Sequence, residues 1–185
     1  MAERLPVVLA ETYEEIACQI ARRIADLVRA KPSAVLGLAT GSTPIGIYRE
    51  LARLHTDEGL DFSRVTTFNL DEYYPMQPSR LQSYHRFMAE HFFERVNVDP
   101  HRVHIPRGDL PRSAVAEHCR EYEEAIRVAG GIDFQILGIG QTGHIGFNEP
   151  GSSVDSRTRL AYAAFREVAA RIGGESDPNA PTPAP

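Results

Sequence analysis

Three polar segments of the 185-residue chain carry side chains that can move protons or seat an anion. Asn69-Leu70-Asp71-Glu72 ends in two adjacent carboxylates. Held in a partly dry cleft, one of them can act as a general base near neutral pH; as solvated loop acids they would do no chemistry. Gly138 to Ser153 sets His144 among the glycines at 138, 140, 143 and 146, with Glu149 close enough in sequence to orient it. An imidazole exchanges protons near pH 7, which makes His144 the candidate acid–base group. Thr40-Gly41-Ser42-Thr43-Pro44 reads either as an ordinary capped turn or as an anion seat. Thr43 suits the N-cap and Pro44 the first helical position. Gly41 lets backbone approach a ligand, and the helix dipole adds to the free N–H groups.

What must position these segments is an alternation of two hydrophobic periods. Pro6–Ala10 reads as a short strand. Thr12–Ala30 is an amphipathic helix with a capping box of Thr12 and Glu15. Ala34–Ala39 and Val65–Leu70 are continuous apolar runs, the pattern of strands covered on both faces. Pro44–His55, Ser83–Arg95 and Ser113–Ala129 read as helices, with Arg102–Ile105 and Ile132–Ile139 as strands. The expectation is a three-layer α/β fold, Rossmann-like, with a mostly parallel sheet and helices on both faces. Ligands of such sheets sit outside the carboxyl ends of the strands, where all three polar segments fall. The domain is expected over 1–172. Residues 173–185 (G-G-E-S-D-P-N-A-P-T-P-A-P) lack an apolar period and are expected to form a disordered Pro-rich tail.

A net charge of −5, without a Lys/Arg cluster, argues against nucleic acid or an anionic membrane surface as partner. No run approaches the roughly 20 apolar residues of a membrane span. Nor does the N-terminus resemble a secretory signal, so a cytoplasmic location is expected. Cys18 and Cys119 lie far apart without metal-ligand spacing and read as reduced, buried thiols.

The same segments resemble the glucosamine-6-phosphate deaminase family, relatives of the 6-phosphogluconolactonases. The resemblance runs in order over roughly residues 5 to 160. It is carried by L-G-L-A-T-G-S-T-P-I-G-I-Y at 36–48, V-T-T-F-N-L-D-E-Y-Y at 65–74, S-Y-H-R-F-M at 83–88, C-R-E-Y-E-E-A-I at 119–126, G-H-I-G-F-N-E-P at 143–150 and S-R-T-R at 156–159. It implies a phosphosugar substrate, with Thr40, Gly41, Ser42 and Thr43 holding the phosphate. His144, assisted by Glu149, would open the sugar ring, and Asp71 would carry the C2 proton toward C1. Glucosamine 6-phosphate would leave as fructose 6-phosphate and ammonia, with no metal or organic cofactor.

The resemblance also marks departures. Ser152 and Arg159 match positions that bind an allosteric phosphosugar in some members, whereas Ala161 stands where those members have lysine. Thr142 replaces an acid two residues before His144; it can hydrogen-bond but cannot carry charge. The match fades after Leu160, where Leu160–Ile172 reads as a helix, and Arg166 and Arg171 are the cations available to replace phosphate-gripping residues of longer relatives. The fold is therefore expected to be incomplete on its C-terminal side. Either a partner, such as a second copy in a homo-oligomer, covers its apolar edge, or the chain is a truncated or frame-shifted product of marginal stability. The alternatives are a phosphosugar-binding module with weak or no turnover and a 6-phosphogluconolactonase-type hydrolase.

Overall fold

A computed structural model describes residues 6–140 and 142–161. Helix α1 spans Tyr13–Ala30, and the Thr12 hydroxyl caps it by accepting from the Glu15 amide at 3.1 Å. The other half of the expected capping box is displaced by one residue: the Glu15 carboxylate accepts from the Glu11 amide. Strand β1 (Val35–Leu38) follows, then α2 (Ile45–Glu58), β2 (Thr66–Asn69) and α3 (Tyr84–His91). The chain continues through β3 (Val103–His104), α4 (Val115–Val128) and β4 (Phe134–Gln135).

The four strands are all parallel, in the order β3-β2-β1-β4. Leu36 and Leu38 of β1 face α1, α2 and α3, burying Ile24, Tyr48, Leu51 and Met88 with them. Val35 and Phe68 point the other way, onto Tyr122 of α4. Helices on both faces thus give the expected three layers. Gly46 lets α1 and α2 close on each other, since a Cβ there would press on the Tyr13 hydroxyl and on Ala17. From β1 the chain steps outward to β2 and β3, then crosses back to place β4 on the other side of β1. The order therefore reverses between β1 and β4, and ligands of open α/β sheets bind in the crevice outside such a reversal.

Several expected boundaries shift. Pro6–Ala10 is not a strand: no described strand lies beside it, and Val7 and Leu9 are 80% and 89% exposed. The helix expected to reach Arg95 stops at His91, because Phe92 leaves helical geometry and turns into the core. There it stacks on Tyr48 at 5.1 Å and meets Phe62 edge-on at 5.5 Å. β4 is shorter than the apolar run at 132–139. It pairs only with β1, whose strand has ended by Leu38, and Leu137 and Ile139 are left exposed. Among the described residues no further strand pairs with β4. Most of the helix expected over Leu160–Ile172, the tail at 173–185, Arg166 and Arg171 lie outside the described residues.

Candidate functional site

The loop after β1 is held from beneath by two tyrosines. Buried Tyr48 donates its hydroxyl proton to the Ala39 carbonyl at 2.5 Å, and its burial raises the phenol pKa well above the ordinary value. Tyr13, reaching over from α1, donates to the Thr43 carbonyl at 2.8 Å and accepts from the Gly46 amide at 2.7 Å. Gly41 has φ of 106°, a conformation that disfavours any side chain. Pro44, not Thr43, is the residue preceding the first turn of α2, and Thr43 makes no side-chain cap bond. The anchored Thr43 carbonyl sets the loop one residue away from the expected cap geometry. Ser42 and Thr43 are left exposed at the carboxyl edge of the sheet.

The two carboxylates after β2 separate into different roles. Glu72 has only 1% of its side chain exposed, and it accepts from the amides of Tyr73, Tyr84 and His85, the hydroxyl of Ser83 and Nδ1 of His85. It ties the end of β2 to the first turn of α3, where a negative charge also meets the helix dipole favourably. Burial alone would raise its pKa; the bonds from His85, Ser83, Tyr84 and Tyr73 outweigh that and hold the carboxyl below its ordinary range. Such a group is a brace, not a base. Asp71 points instead toward the glycine loop after β4. A methyl group on Gly146 would stand 3.4 Å from Asp71 Oδ2, so the carboxylate lies along that loop's backbone.

The loop after β4 carries His144, Thr142 and Glu149 in mutual contact. Thr142 Oγ1 lies 2.8 Å from His144 Nδ1 and donates to Glu149 Oε2 at 3.1 Å. A hydroxyl has one proton to give. Because Thr142 gives it to Glu149, its oxygen accepts from His144 Nδ1–H, which orients the imidazole. Glu149 Oε1 adds a second carboxylate oxygen 3.8 Å from Nδ1. The imidazole lies directly against Gly140, where a Cβ would overlap it, and the Gly140 amide donates to the His144 carbonyl at 2.9 Å.

The structure thus brings His144 and Glu149 together through Thr142, and sets Asp71 against the same loop. Thr40–Thr43 lie between them in the sheet order, since β1 is flanked by β2 and β4. Ser152 and Arg159 meet each other, Arg159 Nη2 donating to Ser152 Oγ at 3.2 Å. Arg159 and Ala161 line a cavity of about 300 Å³ that also touches Asp71, Arg107, His118 and Phe147. His118 accepts from the Arg107 amide, and burial lowers its pKa, so it is neutral there. Among the described residues, no cluster of three or more His, Cys, Asp or Glu side chains could hold a metal, and no helix is long and apolar enough to cross a membrane.

Some of the site's supports were not legible in sequence. Tyr13 lies thirty residues before the loop it clamps, and nothing in its surroundings marks it. Glu72 had a usable signal: Ser83-Tyr84-His85 opens a helix without an acid in its first turn, a vacancy that a distant carboxylate fills.

The chain is thus an open parallel α/β sheet protein whose loops after β1, β2 and β4 set exposed hydroxyls, a carboxylate and an oriented imidazole beside its strand-order reversal. Comparison with known proteins gives the family. Residues 9–169 match the family described as glucosamine-6-phosphate isomerases/6-phosphogluconolactonase, and the chain belongs to it. Glucosamine-6-phosphate deaminase 2 of Bacillus subtilis (strain 168) is 53% identical over 174 residues, covering 92% of this chain and 69% of that protein. Glucosamine-6-phosphate deaminase of Halothermothrix orenii is 53% identical over 154 residues, covering 83% of this chain and 63% of its own length. A solved monomeric glucosamine-6-phosphate deaminase superposes with a TM-score of 0.86 at 44% identity, over 90% of this chain and 68% of that one. The 6-phosphogluconolactonase of Thermotoga maritima is more distant, with a TM-score of 0.62 at 28% identity, over 75% of this chain and 61% of that one. The chain spans about two thirds of the length of the deaminases it matches.

Proposed function

We propose that this chain binds glucosamine 6-phosphate and converts it, by deaminating aldose–ketose isomerisation, to fructose 6-phosphate and ammonia. The observation that carries the reading is the contact of Asp71 with the loop that holds His144 and Glu149: a base and a proton shuttle face one crevice. The phosphate rests on the Thr40–Thr43 loop, where exposed hydroxyls and the start of α2 offer donors. His144, with Nδ1–H given to Thr142, takes the C1 hydroxyl proton at Nε2 and returns a proton to the ring oxygen, opening the ring. Glu149 stabilises the transient imidazolium. The open aldehyde acidifies C2–H, so one positioned carboxylate suffices. Asp71 removes that proton while the substrate's C2 ammonium gives one to the C1 oxygen, forming the enolamine; Asp71 then delivers its proton to C1, leaving a C2 iminium that water hydrolyses to the ketone and ammonium.

Lactone hydrolysis is less well supported, because the lactonases that match are the more distant relatives. A phosphosugar does not cross a bilayer unaided, which supports a cytoplasmic enzyme of amino-sugar breakdown.

The test is ammonia release from glucosamine 6-phosphate by the purified chain, with Asp71→Asn as comparison. The expected result is turnover that falls by at least about a hundredfold in the variant, with loss of solvent-hydrogen exchange at C2 and little change in substrate binding. Exchange that persists in Asp71→Asn would remove Asp71 as the base. Binding without ammonia from the folded wild-type chain would make it a phosphosugar-binding module instead.

A further inference from the structure

Between His144 and Glu149 the loop dips inward at Phe147. Its ring lies 5.2 Å from Tyr73 and 6.2 Å from Tyr84, and those two rings are 4.9 Å apart. All three separations fall within the range of direct aromatic packing. Tyr73 and Tyr84 come from different places, the loop after β2 and the start of α3, yet they do not move independently. Both backbone amides donate to the same buried carboxylate of Glu72, and the Tyr84 hydroxyl donates to that of Tyr73 at 3.3 Å. Glu72 follows Asp71 directly in the chain. The seat for Phe147 is therefore built on the same turn that carries the proposed base.

The loop needs such a seat. It has positive φ at Gly143 and Gly146, and among the described residues its internal support is local: an isolated bridge between Ile145 and Asn148 and short-range backbone bonds from Gly140 to His144, Gly143 to Gly140 and Glu149 to Phe147. The link from Thr142 to His144 and Glu149 fixes those groups relative to one another. That link does not itself reach Asp71, which lies in the loop after β2.

We propose that Phe147 is a positioning residue: its ring, seated on Tyr73 and Tyr84, registers the His144–Glu149 loop over Asp71. This rests on the function proposed above and adds to it how the two halves of the site keep their spacing. A shift of about 1 Å between reacting groups can cost on the order of a hundredfold in rate, so the consequence of losing the ring is kinetic.

The experiment compares the full chain with Phe147→Ala, Phe147→Leu and Phe147→Tyr by amide hydrogen exchange without ligand and by steady-state ammonia release. Phe147→Ala is expected to speed exchange in the segment around 143–149 about tenfold or more and to lower kcat roughly ten- to a hundredfold, with KM little changed. Phe147→Leu, apolar but without a ring, should behave similarly though less severely; it serves in place of the alanine variant if that one does not fold. Phe147→Tyr should restore both readings. Unchanged exchange in the loop would overturn the proposal, as would a raised KM at unaltered kcat, which marks a substrate contact. If the wild-type chain releases no ammonia, the proposed function fails by itself, and the exchange comparison still decides whether Phe147 holds the loop.

Discussion

The hydroxyl of Thr142 lies 2.8 Å from Nδ1 of His144 and passes its own proton to Glu149. A carboxylate bound directly to the imidazole would stabilise it more strongly once protonated; a neutral hydroxyl instead fixes the tautomer and relays a weaker influence. Valine has nearly the same shape and no hydroxyl. Thr142→Val should therefore leave folding intact and lower turnover roughly tenfold, the cost of an unoriented acid–base group, while Thr142→Ser should stay close to wild type. Ammonia-release kinetics on the three proteins check this. Equal rates for valine and threonine would show that Glu149 orients His144 without the relay.

Gly140 offers a second test of the imidazole's place. A Cβ at this position would overlap the His144 ring, whereas a Cβ at Gly138 meets nothing within 4 Å. The obstructed group is the end of a side chain, so the protein can relieve the overlap cheaply by moving the ring. Gly140→Ala should thus keep a melting temperature within a few degrees of wild type while losing on the order of a hundredfold in kcat. Gly138→Ala should change neither. If Gly140→Ala turns over normally, the ring tolerates displacement and its observed position is not the working one.

These relationships explain which parts of the molecule could be read from the sequence. The apolar runs around β1 and β2 and the period of α1 were legible, because central strands and a long amphipathic helix carry their pattern within a few residues. β4 was overextended because Leu137 and Ile139 have strand character but no described neighbour to pair with; pairing is not written in the segment itself. Asp71, His144 and Glu149 were legible as candidates from their place after strands. The division of labour between Asp71 and Glu72 was not. It depends on Ser83, Tyr84 and His85, which come to Glu72 only once α3 has packed beside β2.

That division makes a prediction about acid stability. Glu72 titrates below the ordinary glutamate value of 4.5, because the bonds it receives in the folded state outweigh the effect of burial. A carboxyl depressed on folding stabilises the protein above its unfolded pKa, and that contribution disappears as pH falls through the lower, folded pKa. Glu72→Gln keeps the shape but replaces the charged acceptor with an amide that has one acceptor oxygen and two donors. At pH 7 the variant should be less stable by about 2 kcal/mol, the scale of hydrogen bonds to a buried charged group. Urea unfolding followed at successive pH values measures the gap. It should be constant above about pH 5 and narrow progressively below the unfolded value, since protonated Glu72 loses the same advantage. A gap that stays constant down to pH 3 would mean that Glu72 is held by its shape rather than its charge, and that α3 keeps its first turn without the carboxylate.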